Sequence, residues 1–260
     1  MLDPNRKIQI MGILNATEDS FYSPSRYNYS ILDSGVDIVD IGAVSTRPGA
    51  QDVPEKEEWA RMEPVLHKIA ERSPSTDISI DTTRASIVER ACDILGRKVI
   101  VNDISSGEDD PAMLRTVASL GLRYIAMHKR GTPATMESMC DYDDVVSEVE
   151  QYFLAFARRA SEAGLKAWTI DPGFGFAKTV DQNYALLESL SRFCALGRPV
   201  LVGISRKSFI CRSLGITPAN SLPATEALHM AALERGADIL RVHDVDSARE
   251  VIKLYRCIHA

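Results

Sequence analysis

The sequence has few cysteines, and no two of them form a recognisable pair. Five cysteines occur in 260 residues. They are well separated, and none has the CxxC spacing of a zinc site or of a redox motif. An odd number of distant cysteines also argues against the disulfide framework of a small secreted protein. The sequence therefore predicts free thiols and a reducing, cytoplasmic location.

The chain also lacks a long apolar segment and an excess of basic residues. No run approaches the roughly 18 uninterrupted apolar residues of a membrane helix, and the first residues do not have the form of a signal peptide. Thirty Lys and Arg against 36 Asp and Glu give a formal net charge of −6, the wrong sign for binding a phosphate backbone. We therefore expect no membrane partner and no nucleic-acid partner.

Linkers and the common nucleotide-binding motifs are missing as well. No stretch rich in Pro, Gly or Ser and no block of charge divides the chain, which favours one domain over residues 1–260. Neither GxxxxGKS/T nor GxGxxG occurs, so the usual phosphate-binding loops are excluded. With 45% hydrophobic and 25% charged residues, the composition is that of an ordinary globular protein.

What the sequence does contain is a regular alternation of two patterns. Short apolar, β-branched runs typical of buried parallel strands occur at residues 8–14, 37–41, 77–80, 98–101, 122–127, 167–170, 199–204 and 238–242. Segments with helical period lie between them, for example residues 145–160. Strands and helices that alternate in this way over about 250 residues predict an α/β fold, a single (β/α)8 or TIM barrel. A doubly wound open sheet is the alternative fold.

Polar side chains cluster at the carboxyl end of each predicted strand. They are Asn15, Asp40, Asp81, Asn102 with Asp103, His128, Asp171, residues 205–208, and Arg241 with His243. Active sites of TIM barrels lie at this end of the strands and in the loops that follow. A random chain would scatter polar residues over both ends of its strands, so this placement predicts an enzyme rather than a scaffold.

Four of these residues suit a flat heterocycle that is rich in ring nitrogens. Asp81, Asn102, Asp171 and Lys207 offer two carboxylates, an amide and an ammonium. A carboxylate can accept two parallel hydrogen bonds from the edge of an amino-pyrimidinone ring. A buried ion-pair network that seals the top of the barrel is the alternative. That alternative explains any one of these residues more easily than all four together.

Arg241 and His243 are two residues apart on the last predicted strand, so their side chains face the same side. They form a pair of donors for an anion. Arg47, in the turn after the second strand, can bind the same anion in bidentate fashion, although a lone loop arginine is otherwise a solvated charge. Residues 205–208 offer backbone N–H groups to a carboxylate or phosphate, or only a helix cap.

Two further features concern a planar ligand and a metal ion. Phe174 and Phe176 follow Asp171 in a glycine-containing turn and offer apolar rings to a planar ligand, although such rings also serve as core plugs. Asn15 ends the first strand, and its amide oxygen can hold Mg²⁺ together with phosphate oxygens and water. No His or Cys cluster suggests zinc.

These residues, in this order, resemble the dihydropteroate synthase family over essentially the whole chain. The matching stretches are MGILNATEDSF at 11–21, DIGAVSTRPGA at 40–50, SIDT at 79–82, NDISSG at 102–107, MHKRGTPATM at 127–136, DPGFGFAKT at 171–179, VGISRKSFI at 202–210 and RVHDV at 241–245. Any one stretch can arise by chance, whereas all of them in register on successive strands are highly specific. The resemblance implies a (β/α)8 transferase of folate biosynthesis that joins 6-hydroxymethyl-7,8-dihydropterin diphosphate to 4-aminobenzoate.

The resemblance also implies a role for each matching residue. Asp81, Asn102, Asp171 and Lys207 are expected to hold the pterin, Asn15 to ligate Mg²⁺, and Thr46, Arg47, Arg241 and His243 to contact the diphosphate. The arylamine is expected to meet Ser208 and Phe176, and Gly203 is counted among the substrate-binding residues. The expected catalytic residues are Lys207, Asp81, Asp171, Arg241 and His243. The resemblance further implies a homodimer, and sulfonamides, which target this family, mimic 4-aminobenzoate.

The resemblance also implies that diphosphate leaves first and that the arylamine then attacks a cationic pterin methylene. Asp81 and Asp171 would favour that cation, because a negative carboxylate stabilises developing positive charge. Mg²⁺, Arg241 and His243 would stabilise the negative charge that grows on the leaving diphosphate.

The first crossover is the main departure from the family. Between residues 21 and 35 this chain is roughly ten residues shorter, which leaves about two helical turns where a whole crossover needs about 10–12 residues. Either the first helix is truncated, or the sequence as given omits residues there.

Two other functions remain open at the level of sequence. A pterin-dependent methyltransferase barrel would share the pterin-binding residues but would not need Arg47, Arg241 and His243. A non-catalytic paralogue would bind a pterin or folate without turnover. Release of diphosphate from the two substrates and Mg²⁺ distinguishes the synthase from both.

Overall fold

Eight parallel strands form the centre of the protein in a computed structural model, which describes residues 6–17, 26–45, 49–50, 53–72 and 74–259. The strands are β1 Gln9–Asn15, β2 Ile38–Gly42, β3 Asp77–Asp81, β4 Ile100–Asp103, β5 Arg123–Met127, β6 Trp168–Asp171, β7 Leu201–Val202 and β8 Ile239–Val242. Their hydrogen-bonded order is β6-β5-β4-β3-β2-β1-β8-β7. A parallel bridge between Ile170 and Val200 joins the two ends of this order. The sheet thus closes into the predicted (β/α)8 barrel, and the alternative of an open sheet is wrong.

The helices alternate with the strands. Within the described ranges they are α1 Glu55–Arg72, α2 Ala85–Leu95, α3 Met113–Leu120, α4 Val145–Glu162, α5 Val180–Glu188, α6 Leu190–Cys194, α7 Ser208–Leu214, α8 Leu222–Glu234 and α9 Val245–His259. Short 3-10 helices occur at Tyr29–Asp33, Met136–Ser138 and Pro218–Asn220. None of the helices in the described ranges has the length and apolar content that a membrane span requires. All five cysteines are unpaired.

The strands carry two different apolar layers. Their outward-facing residues, such as Val39 and Ile41 on β2, pack in one large cluster with the surrounding helices. Inward-facing residues near the amino ends form a separate cluster of Met11, Ile38, Ile100, Ile125, Leu201 and Ile239. Side chains alternate along a strand, so the next inward positions are polar: Asp40 after Ile38, Asn102 after Ile100 and Arg241 after Ile239. The same alternation fills the amino end with apolar groups and places polar groups at the mouth, the carboxyl end of the barrel.

The first crossover is short in the structure too. Its described part contains one 3-10 helix of five residues, Tyr29–Asp33, and the 260-residue sequence runs through this segment without a gap. The described part of the segment thus has room for one short helix, and whether the sequence as given omits residues there stays open. Ile31 of this helix is buried, and a Cβ added at Gly12 would lie 2.5 Å from its Cδ1. The short helix can cover β1 because position 12 has no side chain.

Local sequence signals fix the start of α5 and the end of α7. Thr179 and Gln182 form a capping box at the start of α5, so the loop after β6 ends at residue 179. Gly215 ends α7 in the left-handed conformation, with a φ of 65°, which glycine adopts without steric cost. The capping box delimits the loop that carries the predicted site residue Phe176.

Candidate active site

A cavity of about 730 Å³ opens at the mouth of the barrel. Its walls come from strand ends and from the loops that follow β2, β6 and β7. The predicted site residues on its wall are Asn15, Asp81, Phe176, Lys207, Ser208, Arg241 and His243. Active sites of this fold lie at the same face. The structure thus brings together side chains that are up to 228 residues apart in the sequence, counting from 15 to 243.

Asn102, Asp171 and Gly203, which are also predicted site residues, do not line this cavity. Asn102 is 4% exposed and Asp171 is 7% exposed, so both are covered by neighbouring groups. A Cβ added at Gly203 would lie 3.9 Å from the Cβ of Arg241, which is an ordinary contact, so packing alone does not require glycine there. Thr46 and Arg47 lie outside the described residues.

A network of two carboxylates and one guanidinium crosses the mouth. Nε of Arg241 donates to Oδ2 of Asp40 at 2.7 Å, and one of its terminal nitrogens donates to Oδ2 of Asp81 at 2.8 Å. Nδ2 of Asn102 donates to the same Asp40 oxygen at 3.0 Å. Asp40 is fully buried, and a buried charge is tolerated when it is paired and hydrogen-bonded. Arg241 and Asp81 therefore take part in a buried ion-pair network and also stand on the cavity wall.

Asp40 is a part of the site to which the sequence analysis assigned no individual role. It lies beside Ser79 in the pairing of β2 with β3. Within the described residues, Oδ1 of Asp40 and Oγ of Ser79 are both buried and have no hydrogen-bond partner. Buried polar atoms without partners are costly, so the pair favours a polar ligand group or an ordered water beside β2 and β3. The available signal was position, because Asp40 is the inward residue after Ile38.

Burial changes the acidity of two carboxyl groups in the site. It raises the pKa of Asp81 to about 7, and the Asp40 carboxylate adds to the rise while Arg241 opposes it. Burial also raises the pKa of Asp171, against the opposing effects of Lys207 and of a hydrogen bond from the Gly173 N–H. That bond is 2.8 Å long. Asp81 can therefore gain or lose a proton near neutral pH, as an acid or base at a ring nitrogen must.

Lys207 and Phe176 stand side by side on the cavity wall. Nζ of Lys207 donates to the carbonyl oxygen of Phe174 and lies 4.8 Å from the centroid of the Phe176 ring. Burial lowers the pKa of Lys207 to about 8, although the Asp171 carboxylate opposes this change. An ammonium next to an aromatic face suits a ligand that has both an oxygen acceptor and a flat apolar surface.

Ser205 makes two contacts with His243. The backbone N–H of His243 donates to Oγ of Ser205 at 3.2 Å, and the same oxygen lies 3.0 Å from Nδ1 of the ring. Burial lowers the pKa of His243 to about 3, and Arg241 adds to this effect, so the ring is neutral. Either the serine hydroxyl donates to Nδ1 or a protonated Nδ1 donates to the serine, and the tautomer of the ring decides which. His243 thus stands on the cavity wall as a neutral hydrogen-bonding group.

Arg241 can supply the charge that His243 lacks. A guanidinium has five N–H donors, and the bonds to Asp40 and Asp81 use Nε and one terminal nitrogen. Within the described part of the chain, the other terminal nitrogen makes no hydrogen bond. Arg241 can therefore keep both carboxylates and still bind an anion in the cavity.

The described residues offer few ligands to a metal ion. Among them, no group of three or more His, Cys, Asp or Glu side chains could hold one. Asn15 lines the cavity at the end of β1 and supplies an amide oxygen. One protein oxygen suits Mg²⁺, which takes most of its ligands from substrate phosphates and water, and does not suit a structural zinc ion.

Comparisons with known sequences agree with this geometry. The family described as Pterin binding enzyme matches residues 11–243. Dihydropteroate synthase of Escherichia coli (strain K12) is 38% identical in an alignment 262 residues long, which covers 96% of this chain and 90% of the relative. The synthase of Synechocystis sp. is 38% identical in an alignment 266 residues long, which covers 98% of this chain and 91% of the relative.

Solved structures lead to the same family. The Yersinia pestis dihydropteroate synthase, determined with a sulfonamide drug complex, matches with a TM-score of 0.91 and 35% identity over 99% of this chain and 96% of that one. The Thermus thermophilus synthase in complex with 4-aminobenzoate matches with a TM-score of 0.87 and 37% identity over 99% and 96%. On sequence, fold and site geometry together, the chain belongs to the dihydropteroate synthase family.

Proposed function

We propose that this chain is a transferase that condenses 6-hydroxymethyl-7,8-dihydropterin diphosphate with 4-aminobenzoate, giving 7,8-dihydropteroate and diphosphate in folate biosynthesis. The observation that carries this function is the mouth cavity, where Asp81, Lys207 and Arg241 meet with donors and acceptors for both substrates. Relatives that are 38% identical over nearly the whole chain are named dihydropteroate synthase. Structural neighbours hold 4-aminobenzoate or a sulfonamide.

The pterin is assigned to Asp81, Asn102, Asp171 and Lys207. Carboxyl oxygens of Asp81 and Asp171 can accept hydrogen bonds from ring and amino N–H groups, and Lys207 can donate to a ring oxygen. The unpartnered Oδ1 of Asp40 supports the assignment, because a ring N–H would satisfy it. Asn102, which already donates to Asp40, would orient that carboxylate.

The diphosphate is assigned to Arg241 and His243. The terminal nitrogen of Arg241 that does not bond to Asp81 is a suitable donor for phosphate oxygens, and so is Nε2 of His243 in the tautomer that carries the ring proton there. The roles of Thr46 and Arg47 stay predictions from the family motif. Asn15 would hold Mg²⁺ together with the diphosphate, and a bound Mg²⁺ ion would neutralise charge on the leaving group.

The reaction breaks the bond between the pterin methylene carbon and the diphosphate oxygen, and the oxygen keeps the electron pair. Asp81 and Asp171 favour the resulting pterin cation, while Arg241 and His243 hold the departing negative charge. The amine nitrogen of 4-aminobenzoate then bonds to the methylene carbon and loses one proton to water or to the released diphosphate. Asp81, whose pKa burial raises to about 7, is placed to exchange a proton with the pterin ring as its charge changes.

The arylamine is assigned to the side of the cavity formed by Phe176 and Ser208. Both residues line its wall. The Phe176 ring offers a flat apolar surface to the aminobenzoate ring, and Ser208 offers polar groups to its carboxylate. Gly203 remains a predicted substrate-binding residue beside Arg241.

A homodimer and a cytoplasmic location are also proposed. Leu254 and Ile258 lie one turn apart on α9 and are 58% and 64% exposed. The helix that carries them packs against α8. Exposed apolar side chains at such spacing suit a second copy of the chain. Sedimentation of the wild-type protein and of Leu254→Lys tests the dimer, which the charge should weaken. The five unpaired cysteines support a reducing compartment.

The test of the function is an assay with both substrates and Mg²⁺ that measures diphosphate and dihydropteroate together. The proposal expects the two products in equal amounts, and no diphosphate when 4-aminobenzoate is replaced by benzoate. Binding of the pterin substrate without any product would support the non-catalytic paralogue. Methyl transfer from a methylated pterin, without diphosphate release, would support the methyltransferase barrel.

A further inference from the structure

Lys178 is a buried lysine that the proposed mechanism does not use. It lies between β6 and α5 and is 7% exposed. Its Nζ is 2.9 Å from the carbonyl oxygen of Gly173, 2.9 Å from that of Phe176 and 3.0 Å from Nδ1 of His128. An ammonium has three N–H donors, so each donor has an acceptor. Burial lowers the pKa of Lys178 to about 7, although the Asp171 carboxylate opposes this change, and the three acceptors favour the charged ammonium, which ties three backbone and side-chain groups together.

His128 provides a fixed acceptor for this ammonium. Burial lowers the pKa of His128 to about 2, and Lys178 and Arg130 add to the effect, so the ring is neutral. Because an ammonium can only donate, Nδ1 is the acceptor in this contact. The ring packs edge-on against Tyr152, with the centroids 4.9 Å apart. His128 follows β5 directly, so Lys178 ties the loop after β6 to the neighbouring strand.

The loop held by Lys178 is the one that carries Phe174 and Phe176. Lys178 binds the carbonyls of Gly173 and Phe176, while the carbonyl of Phe174 between them accepts from Lys207. A Cβ added at Gly173 would lie 1.9 Å from the carbonyl oxygen of His128. The loop therefore approaches β5 as closely as glycine permits, and its carbonyls alternate between two ammonium groups.

The loop also needs this support, because part of its backbone is strained. Ala177 has a φ of 49°, in the left-handed region that favours glycine. On the side of α5, Asn183 accepts from the Gly175 N–H at 2.6 Å and donates to the Thr179 carbonyl at 2.7 Å. On the side of β5, Lys178 makes the corresponding contacts. Together the two side chains hold the loop in one conformation.

We propose that Lys178 is a positioning residue for the arylamine. By holding the carbonyl of Phe176, it fixes the ring of Phe176 on the cavity wall beside Lys207, where the ring can receive the aminobenzoate. This inference rests on the proposed function, which assigns the arylamine to Phe176. Lys178 lies outside the wall of the main cavity and lines a neighbouring one of about 400 Å³. It therefore acts through Phe176.

The test compares steady-state kinetics of the wild type, Lys178→Met, Phe176→Ala and the double variant, with each substrate varied in turn. Lys178→Met should raise the KM for 4-aminobenzoate about tenfold and change the KM for the pterin diphosphate less than about twofold, because only the aromatic contact is displaced. In the Phe176→Ala background, the same change should add less than about twofold, because two residues that act through one contact are not additive.

Lys98→Met is the matched control. Lys98 also donates to a glycine carbonyl, that of Gly121 at 3.1 Å, but at the amino end of the barrel. Its replacement should leave both KM values unchanged. If Lys178→Met does not fold, Lys178→Gln and Lys178→Arg provide the same comparison, because each keeps a donor with altered geometry.

The inference is overturned if the Lys178 variants raise both KM values equally, or if their effect adds fully to that of Phe176→Ala. Either result would give Lys178 only a general structural role. A wild-type protein that releases no diphosphate would instead contradict the proposed function. In that case, calorimetric titration with 4-aminobenzoate still decides the role of Lys178, since weaker binding to Lys178→Met than to the wild type and Lys98→Met supports it and equal binding overturns it.

Discussion

The two ends of the barrel interior use burial in opposite ways. At the amino end, Ile38, Ile100 and Ile239 pack in an apolar cluster. One inward position further along the same strands stand Asp40, Asn102 and Arg241, joined by hydrogen bonds. Apolar burial contributes roughly 25 cal/mol per Å², whereas buried charges must be paired to be tolerated at all. The amino end thus stabilises the fold, and the carboxyl end carries the chemistry at a cost in stability.

Cavity size does not distinguish the two ends. A cavity of about 460 Å³ also opens at the amino end, lined by Ile38, Ile100 and Ile125 among others. The basic residues on its rim, such as Lys7 and Lys166, are exposed, whereas Asp40 at the mouth is fully buried. Exposed charges are solvated and lose little when no ligand is present. Convergent buried charges, and not the volume, mark the mouth as the active site.

The largest expected effect comes from removing the cation that joins the two carboxylates of the mouth. Arg241→Ala leaves Asp40 and Asp81 buried without their partner, and breaking a buried pair costs about 3–5 kcal/mol. Urea unfolding should show this loss, and calorimetry should show weaker binding of diphosphate. The double variant Arg241→Ala with Asp40→Asn should recover part of the stability but not the diphosphate binding. Unchanged unfolding of Arg241→Ala would mean that the network does not hold the mouth together.

At the amino end, an equally buried residue should affect stability alone. Ile100→Ala removes a side chain from the inner apolar cluster, and such changes cost about 2–5 kcal/mol. At a temperature where the variant is folded, KM and kcat should match those of the wild type, because the polar layer at the mouth is kept. A large change in kcat would show that the two layers are coupled, and the contrast between the ends would fail.

Lys207→Ala, at the mouth, should lower activity with little loss of stability. Its ammonium is half-buried on the cavity wall, and loss of a charged hydrogen bond to substrate costs about 1.5–3 kcal/mol in kcat/KM. The folded state should lose less, because the free protein loses one hydrogen bond, to the Phe174 carbonyl, and the weaker interactions of a half-exposed ammonium with the Phe176 ring and with Asp171. Melting curves and kinetics on the same preparation measure both quantities. Normal turnover by a soluble Lys207→Ala variant would contradict the assignment.

The sequence predicted the barrel well because buried parallel strands are apolar runs that end in polar residues. The predicted run 77–80 became β3 Asp77–Asp81, and 238–242 became β8 Ile239–Val242. The run 199–204 was wrong in length, since β7 has only two residues, Leu201–Val202. Among the described residues, its pairing towards β6 is the single bridge between Ile170 and Val200, the residue before β7. Strand pairing at the closure of a barrel depends on tertiary geometry, which a local pattern does not encode.

The site was predictable in position and less so in its contacts. Alternation along each strand placed Asp81 and Arg241 at the mouth, and both line its cavity. The partners of Arg241 could not be read from the sequence, because Asp40 is 201 residues away. The burial of Lys178 was equally hidden. It depends on the turn at Ala177, whose φ of 49° is not a conformation that alanine favours.

The pH dependence of the free energy of unfolding should also differ between variants at the two ends of the barrel. The pKa of Asp81 is about 7 in the folded protein and near 3.8 in an unfolded chain, so the folded state binds this proton more tightly. As the pH rises from about 4 to 7, the unfolded chain ionises first, and the free energy of unfolding falls. Asp81→Asn should remove this part of the decline, and Ile100→Ala should keep it. Parallel curves for Asp81→Asn and the wild type would show that burial does not control this carboxyl group.

The smallest expected effect concerns His243, which tests whether the mouth binds the diphosphate by charge or by hydrogen bonding alone. The pKa of His243 is lowered to about 3, so its ring is neutral between pH 5 and 8, where an ordinary histidine titrates. His243→Ala should weaken diphosphate binding by about 0.5–1.5 kcal/mol, the value of one neutral hydrogen bond, and by the same amount across that pH range. Calorimetric titration with diphosphate at several pH values measures this, and a neutral pterin analogue is the control ligand, which should bind nearly as before. A loss that grows as the pH falls would mean that the ring binds as a cation. In that case the environment set by Ser205 and Arg241 would not keep it neutral, and His243 would share with Arg241 the charge that stabilises the leaving group.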